Sequence, residues 1–203
     1  MTDATYRTIA AHLRAEPEPI KASRHLATLT PTPSVDEAKA RIAEVRAEMP
    51  SANHHAWAYR IRDNGIAERC SDDGEPTGTA GRPILRQLEL RELWNCTLIV
   101  TRFFGGTKLG SGGLVRAYGG AAAFVLDEAE ITTIVPERRL RIRSGYAEEP
   151  LVRRTLSESG LEPDQVEHGA GVEFLVTMRE PELESLCATL IERSNGRVEC
   201  IPL

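Results

Sequence analysis

The densest chemistry in this chain lies between Arg102 and Tyr118, where three cations and five glycines share one short stretch. An apolar run leads into Gly105, Gly106, Gly110, Gly112 and Gly113, and helical spacing follows. That order is strand, turn, helix start. Successive backbone N–H groups in such a turn can converge on an anion, with the positive end of the helix dipole behind them. The charge pattern agrees, because Arg102, Lys108 and Arg116 are the only charged residues between Glu92 and Asp127. The stretch is not a Walker A loop, since Ser111 and Gly112 stand where Lys and Ser or Thr belong, and it does not fit GxGxxG. Arg102, Gly105, Gly106, Lys108, Gly110, Gly112 and Arg116 therefore form the candidate anion- or RNA-phosphate-binding set. The competing reading is that the glycines only permit a tight bend against neighbouring backbone.

Asp72, Asp73 and Glu75 place three carboxylates within four positions. Such oxygen ligands suit Mg²⁺ or Ca²⁺, but the other ligands of a calcium loop are missing. A simpler reading has Asp72 and Asp73 accepting backbone N–H bonds in a turn while Thr79 caps the next helix. An ion pair from this acidic turn to the glycine loop is a further option that spacing leaves open. His54 and His55 alternate on a strand, so one metal does not readily take both imidazoles. One of them is expected to hydrogen-bond the acidic turn. Lys21 and Arg24 are supporting cations on a strand where Lys21 and Ser23 share a face, with a solvated edge as the default. No nucleophile elbow, HExxH, dinucleotide fingerprint or supported Cys/His pair occurs, so no catalytic residue, metal or cofactor is assigned.

The elements that must position these groups follow from periodicity. Strands are expected at Tyr6–Ile9 and 20–29, across a turn at Pro17 and Pro19. A helix over 34–49 opens on a Ser34/Glu37 capping box and repeats Val35, Ala38, Ile42, Val45 and Met49. A hairpin joins 55–62 to 66–70 through Asp63-Asn64-Gly65, where Asn-Gly supplies positive φ at low cost. A helix over 80–93 precedes the apolar strand 97–104, the glycine loop, and a helix whose buried line is Leu114, Tyr118, Ala121 and Val125. A strand over 130–135 closes a first domain of residues 1–135. The remainder, 136–203, reads strand, helix over 149–160, strand, strand, helix, strand. That βαββαβ order is ferredoxin-like. The fold class is α+β.

Composition narrows the setting. With 41% hydrophobic and 27% charged residues, the chain has the balance of a folded soluble protein. No apolar run is long enough for a membrane span, and residues 1–14 lack the h-region of a secretory signal. Cys70, Cys96, Cys187 and Cys200 have no CxxC spacing, which reads as reduced thiols in a cytoplasmic protein. The net charge of −5 disfavours general nucleic-acid binding but says nothing of local patches. Oligomeric state is not legible.

Residues 72–81 followed by 102–118 resemble the signature of the YigZ/IMPACT family, two long motifs in the right order. Ile20-Lys21-Ala22-Ser23-Arg24 and residues 54–60 match as well, so the resemblance spans nearly the whole chain. Phe103 stands where Tyr is common in the family, and Ala22 where Lys is common. The resemblance implies an N-terminal α/β domain like those of ribosomal proteins and of domain IV of elongation factor G. It also implies a C-terminal domain similar to that factor's ferredoxin-like domain V. Eukaryotic IMPACT restrains a stress kinase that controls translation by competing for its activator, through a further N-terminal domain. The sequence as given opens on the shared domain, so that partner is not expected here. The expected function is a non-catalytic, translation-linked regulator that binds RNA or the ribosome, or a protein partner in translation control. A second class stays open: a phosphate-ester or metal-dependent enzyme, or small-ligand binder, using the acidic turn, the histidines and the glycine loop together.

Overall fold

The computed structural model describes residues 5–63 and 65–203. The expected turn at Asn64 and the first four residues of the N-terminal stretch lie outside them. The chain divides into two compact units, one spanning Tyr6–Thr133 and the other containing Ile134–Leu203.

In the first unit, β1 (Tyr6–Ile9), β2 (Leu13–Ala15) and β3 (Arg24–Pro31) precede α1 (Val35–Glu48). β4 (His54–Asp63) and β5 (Gly65–Ser71) follow, then α2 (Gly81–Leu90), β6 (Cys96–Phe103), α3 (Ser111–Glu128) and β7 (Ile131–Ile134). Five strands form one sheet in the order β2-β3-β6-β4-β5, and β1 pairs with β7 apart from it. All its ladders are antiparallel. β6 is central and buried along almost its whole length because helices cover both faces. On one face α1 packs Ala38, Ile42 and Val45 against Tyr59, Ile61 and Ile99. On the other, α2 and α3 pack Ile84, Leu88, Tyr118 and Val125 against Ala27, Leu29, Ala58, Leu98 and Val100.

Three expectations change. The strand foreseen over 20–29 begins only at Arg24, because Lys21 and Ala22 both take left-handed φ, at 47° and 61°. Ile20 and Ser23 instead exchange two backbone hydrogen bonds of 3.0 Å across them, a two-residue hairpin turn. The three-residue β2 is an element that the proline-rich stretch concealed. Thr79 does not cap α2: its hydroxyl donates to the Pro76 carbonyl at 2.6 Å. The α2 N-terminus is instead closed by Asp72, which accepts from the N–H groups of Gly78, Ala80 and Gly81 at 2.8–2.9 Å. Ser34 does cap α1, accepting from the Glu37 N–H.

The second unit runs β8 (Glu137–Ser144), α4 (Glu149–Glu158), β9 (Gln165–His168), β10 (Val172–Arg179), a short 3₁₀ turn at Glu180–Glu182, α5 (Leu183–Arg193) and β11 (Glu199–Pro202). Its sheet order is β11-β8-β10-β9. This is the ferredoxin-like arrangement, with the first and third strands central. Val172, Phe174, Val176 and Met178 alternate on β10 and meet Leu140, Ile142, Val152, Leu156 and Leu190 in a separate core. No helix among the described residues is long and apolar enough to cross a membrane.

Candidate basic-loop site

Strand register builds the site. Across β3, β6 and β4, His25 pairs with Arg102 and Arg102 with His54. Residues opposite one another in a ladder share a face. This row continues the face of Ala27, Val100 and Ala56, so at its end a polar row replaces the apolar ones beneath α3. Into it the acidic turn delivers Glu75 and α3 delivers Tyr118. Arg102 Nη1 donates to Glu75 Oε1 at 2.7 Å, and the Tyr118 hydroxyl donates to the same oxygen at 2.7 Å. The Arg102 and Glu75 side chains are only 6% and 4% exposed, which makes this a buried ion pair. Burial, reinforced by the hydrogen bond to Glu75, pushes the Tyr118 hydroxyl well above its ordinary range.

The rest of the acidic turn is equally committed. Asp73 Oδ1 accepts from Arg46 at 2.6 Å and Oδ2 from the His55 N–H at 2.7 Å. Burial opposes ionisation of both aspartates, yet their hydrogen bonds prevail and hold each below the usual carboxylate range. His54 Nδ1 lies 2.8 Å from the Asp73 carbonyl, so that nitrogen carries the proton and Nε2 faces Glu75 at 3.8 Å. His55 points to the opposite face and meets the Thr101 hydroxyl at 3.1 Å. Burial, together with Arg102, drives His25 down to about 4, and its ring stands edge-on to Tyr118. Among the described residues no group of three or more His, Cys, Asp or Glu side chains is placed to hold a metal ion.

Ser23 ties this core to the glycine loop by accepting the Gly105 N–H at 3.1 Å. A Cβ on Gly105 would sit 2.1 Å from the Ala22 carbonyl carbon, so this glycine is required by packing. Gly110 precedes α3 with φ 72° and is required by conformation. Gly112 is under neither demand: a Cβ there would meet only the Arg116 guanidinium, at 3.7 Å. No side chain caps α3, and its first turn holds no acid. Lys21, Lys108 and Arg116 are exposed and make no ion pair among the described residues. Arg24 is bound to Glu16 at 2.6 Å and lies over the Phe103 ring.

The predicted residues thus separate into two layers. Arg102 and Glu75 are buried together, with His54, Asp72 and Asp73 half-buried around them. Lys21, Lys108, Gly112 and Arg116 lie at the surface. The arginine that meets Asp73 is Arg46 of α1, not Arg116. His25, Ser23 and Tyr118, outside the candidate set, are buried beside Arg102 and Glu75. Tyr118 lies on the apolar line of its helix, and nothing in that spacing announces the Glu75 carboxylate it meets.

The profile of the Impact N-terminal domain matches residues 21–126, and a domain of unknown function, DUF1949, matches 142–197. The chain is 33% identical to the IMPACT family member YigZ of Escherichia coli, over 92% of each chain. It is 41% identical to the IMPACT family member in the pol 5′ region of Thermus thermophilus, over 78% of this chain and 86% of that one. A crystal structure described only as that of a hypothetical protein, 32% identical, superposes with a TM-score of 0.69 over 97% of this chain and 96% of the other.

Proposed function

The chain belongs to the IMPACT family, and from that premise we propose that it regulates translation in the cytoplasm by binding RNA or the ribosome through the basic loop that opens α3. The observation that carries this reading is the set of exposed cations Lys21, Lys108 and Arg116, without an ion pair among the described residues, around a helix N-terminus with no capping side chain. A helix start without an acid in its first turn, next to free cations, favours an anionic partner. The Arg116 side chain is otherwise at the unfavourable end of the helix dipole, at a cost of about 0.3–1 kcal/mol. Likeness of the two domains to translation-factor domains, implied by the family resemblance, points to the same setting. The enzyme alternative receives less support. Its carboxylates are occupied by Arg102, Tyr118, Arg46 and backbone N–H groups.

Lys108→Ala with Arg116→Ala is expected to weaken cosedimentation with ribosomes and to leave the melting temperature nearly unchanged. The salt dependence of RNA binding should flatten by roughly 0.7–0.9 in log–log slope per lost phosphate contact. Unaltered binding in the double variant at equal folded fraction removes the loop from the functional site.

A further inference from the structure

At the mouth of the same loop an aromatic side chain is held out to solvent. Phe104 is 46% exposed, and its backbone is anchored. Its N–H donates to Asn53 Oδ1 at 2.8 Å, and the next residue, Gly105, is pinned against the turn of Lys21 and Ala22. The Arg102 guanidinium carbon lies 5.5 Å from its ring centroid, a buried cation that supports one side of the ring. Two other segments of the candidate site set an exposed apolar side chain beside an exposed cation. Ile20, 40% exposed, precedes Lys21, and Val115, 42% exposed, precedes Arg116. A duplex would offer a loop of this kind mainly phosphates and sugars, which leaves the apolar members without partners. An unpaired strand offers both phosphates and bare base faces, and aromatic platforms beside cationic grooves are how proteins hold it.

Resting on the RNA-binding reading above, we propose that this site takes single-stranded RNA, with one unpaired base stacked on Phe104 while Lys108 and Arg116 hold the phosphates. The test uses the full chain and three probes of equal length in fluorescence anisotropy: an oligouridylate, an abasic ribose-phosphate oligomer and an RNA duplex. Phe104→Leu keeps an apolar side chain and removes the ring, and Phe104→Tyr restores the ring. The wild type should bind the oligouridylate about tenfold more tightly than the abasic oligomer. Phe104→Leu should lose that tenfold and bind the other two probes as the wild type does, while Phe104→Tyr should keep it. Equal wild-type affinity for the oligouridylate and the abasic oligomer overturns the stacking assignment, whether or not the leucine variant folds, and so does preference for duplex. Lost ribosome cosedimentation in Phe104→Leu with unchanged oligouridylate binding assigns the ring to a protein partner and also overturns it. Failure of the wild type to bind any of the three probes, or ribosomes, removes the RNA reading itself.

Discussion

Glu75 accepts hydrogen bonds from both Arg102 and Tyr118 in a place nearly closed to water. A buried ion pair of this kind adds little net stability against an apolar replacement, but removing one partner leaves an uncompensated charge. Its effect is to fix the acidic turn to the strand that leads into the glycine loop. His25 shares this enclosure and titrates at about 4, chiefly because it is buried and then because Arg102 is near. The unfolded imidazole takes up its proton near 6.5, well before the folded one. Stability from this group is therefore complete above pH 6.5 and is lost as pH falls towards 4. A shift of that size corresponds to about 3 kcal/mol. Urea unfolding across this range should show the wild type losing about that much more stability than His25→Gln. Parallel pH profiles for the two proteins would contradict the assignment.

At the scale of the element, what closes a helix depends on how far away its cap lies. The Ser34 cap of α1 was legible because its acceptor and the Glu37 N–H are three residues apart in the chain. The α2 cap was not, because Asp72 reaches Ala80 and Gly81 across the folded acidic turn, eight and nine residues away. The nearer hydroxyl, Thr79, turns back to Pro76. Asp72→Ala should therefore cost about 2 kcal/mol, from three lost N–H partners, and Thr79→Ala only about 1 kcal/mol. Chemical denaturation midpoints of the two variants check the order, and a larger loss at Thr79 would restore the local cap. The turn at Lys21 and Ala22 was hidden for a related reason. Neither residue favours left-handed φ, so no turn signal was present, and the conformation is sustained by Ser23 and Gly105 packing against it.

The molecule as a whole carries separate cores, and all the buried residues of the second, from Leu140 to Val198, fall within one βαββαβ unit. Residues 136–203 contain every strand and helix of that unit, so this fragment expressed alone should melt cooperatively. A broad, non-cooperative transition monitored by circular dichroism would show that its core depends on the rest of the chain. The order of elements in this unit was readable because alternation in β10 and helical spacing in α5 are properties of neighbouring residues. The glycine loop and its flanking strand and helix were readable on the same ground. The division of labour among the charges was not. Arg102 and Lys108 look alike along the sequence, both basic and both in an acid-free stretch. Register places Arg102 between His25 and His54 under α3, where Glu75 neutralises it, while Lys108 remains in water. Local pattern alone determined where the basic loop would be. Only the pairing of β3, β6 and β4, which brings residues far apart in the chain together, decided which of its cations are buried and which stay in water.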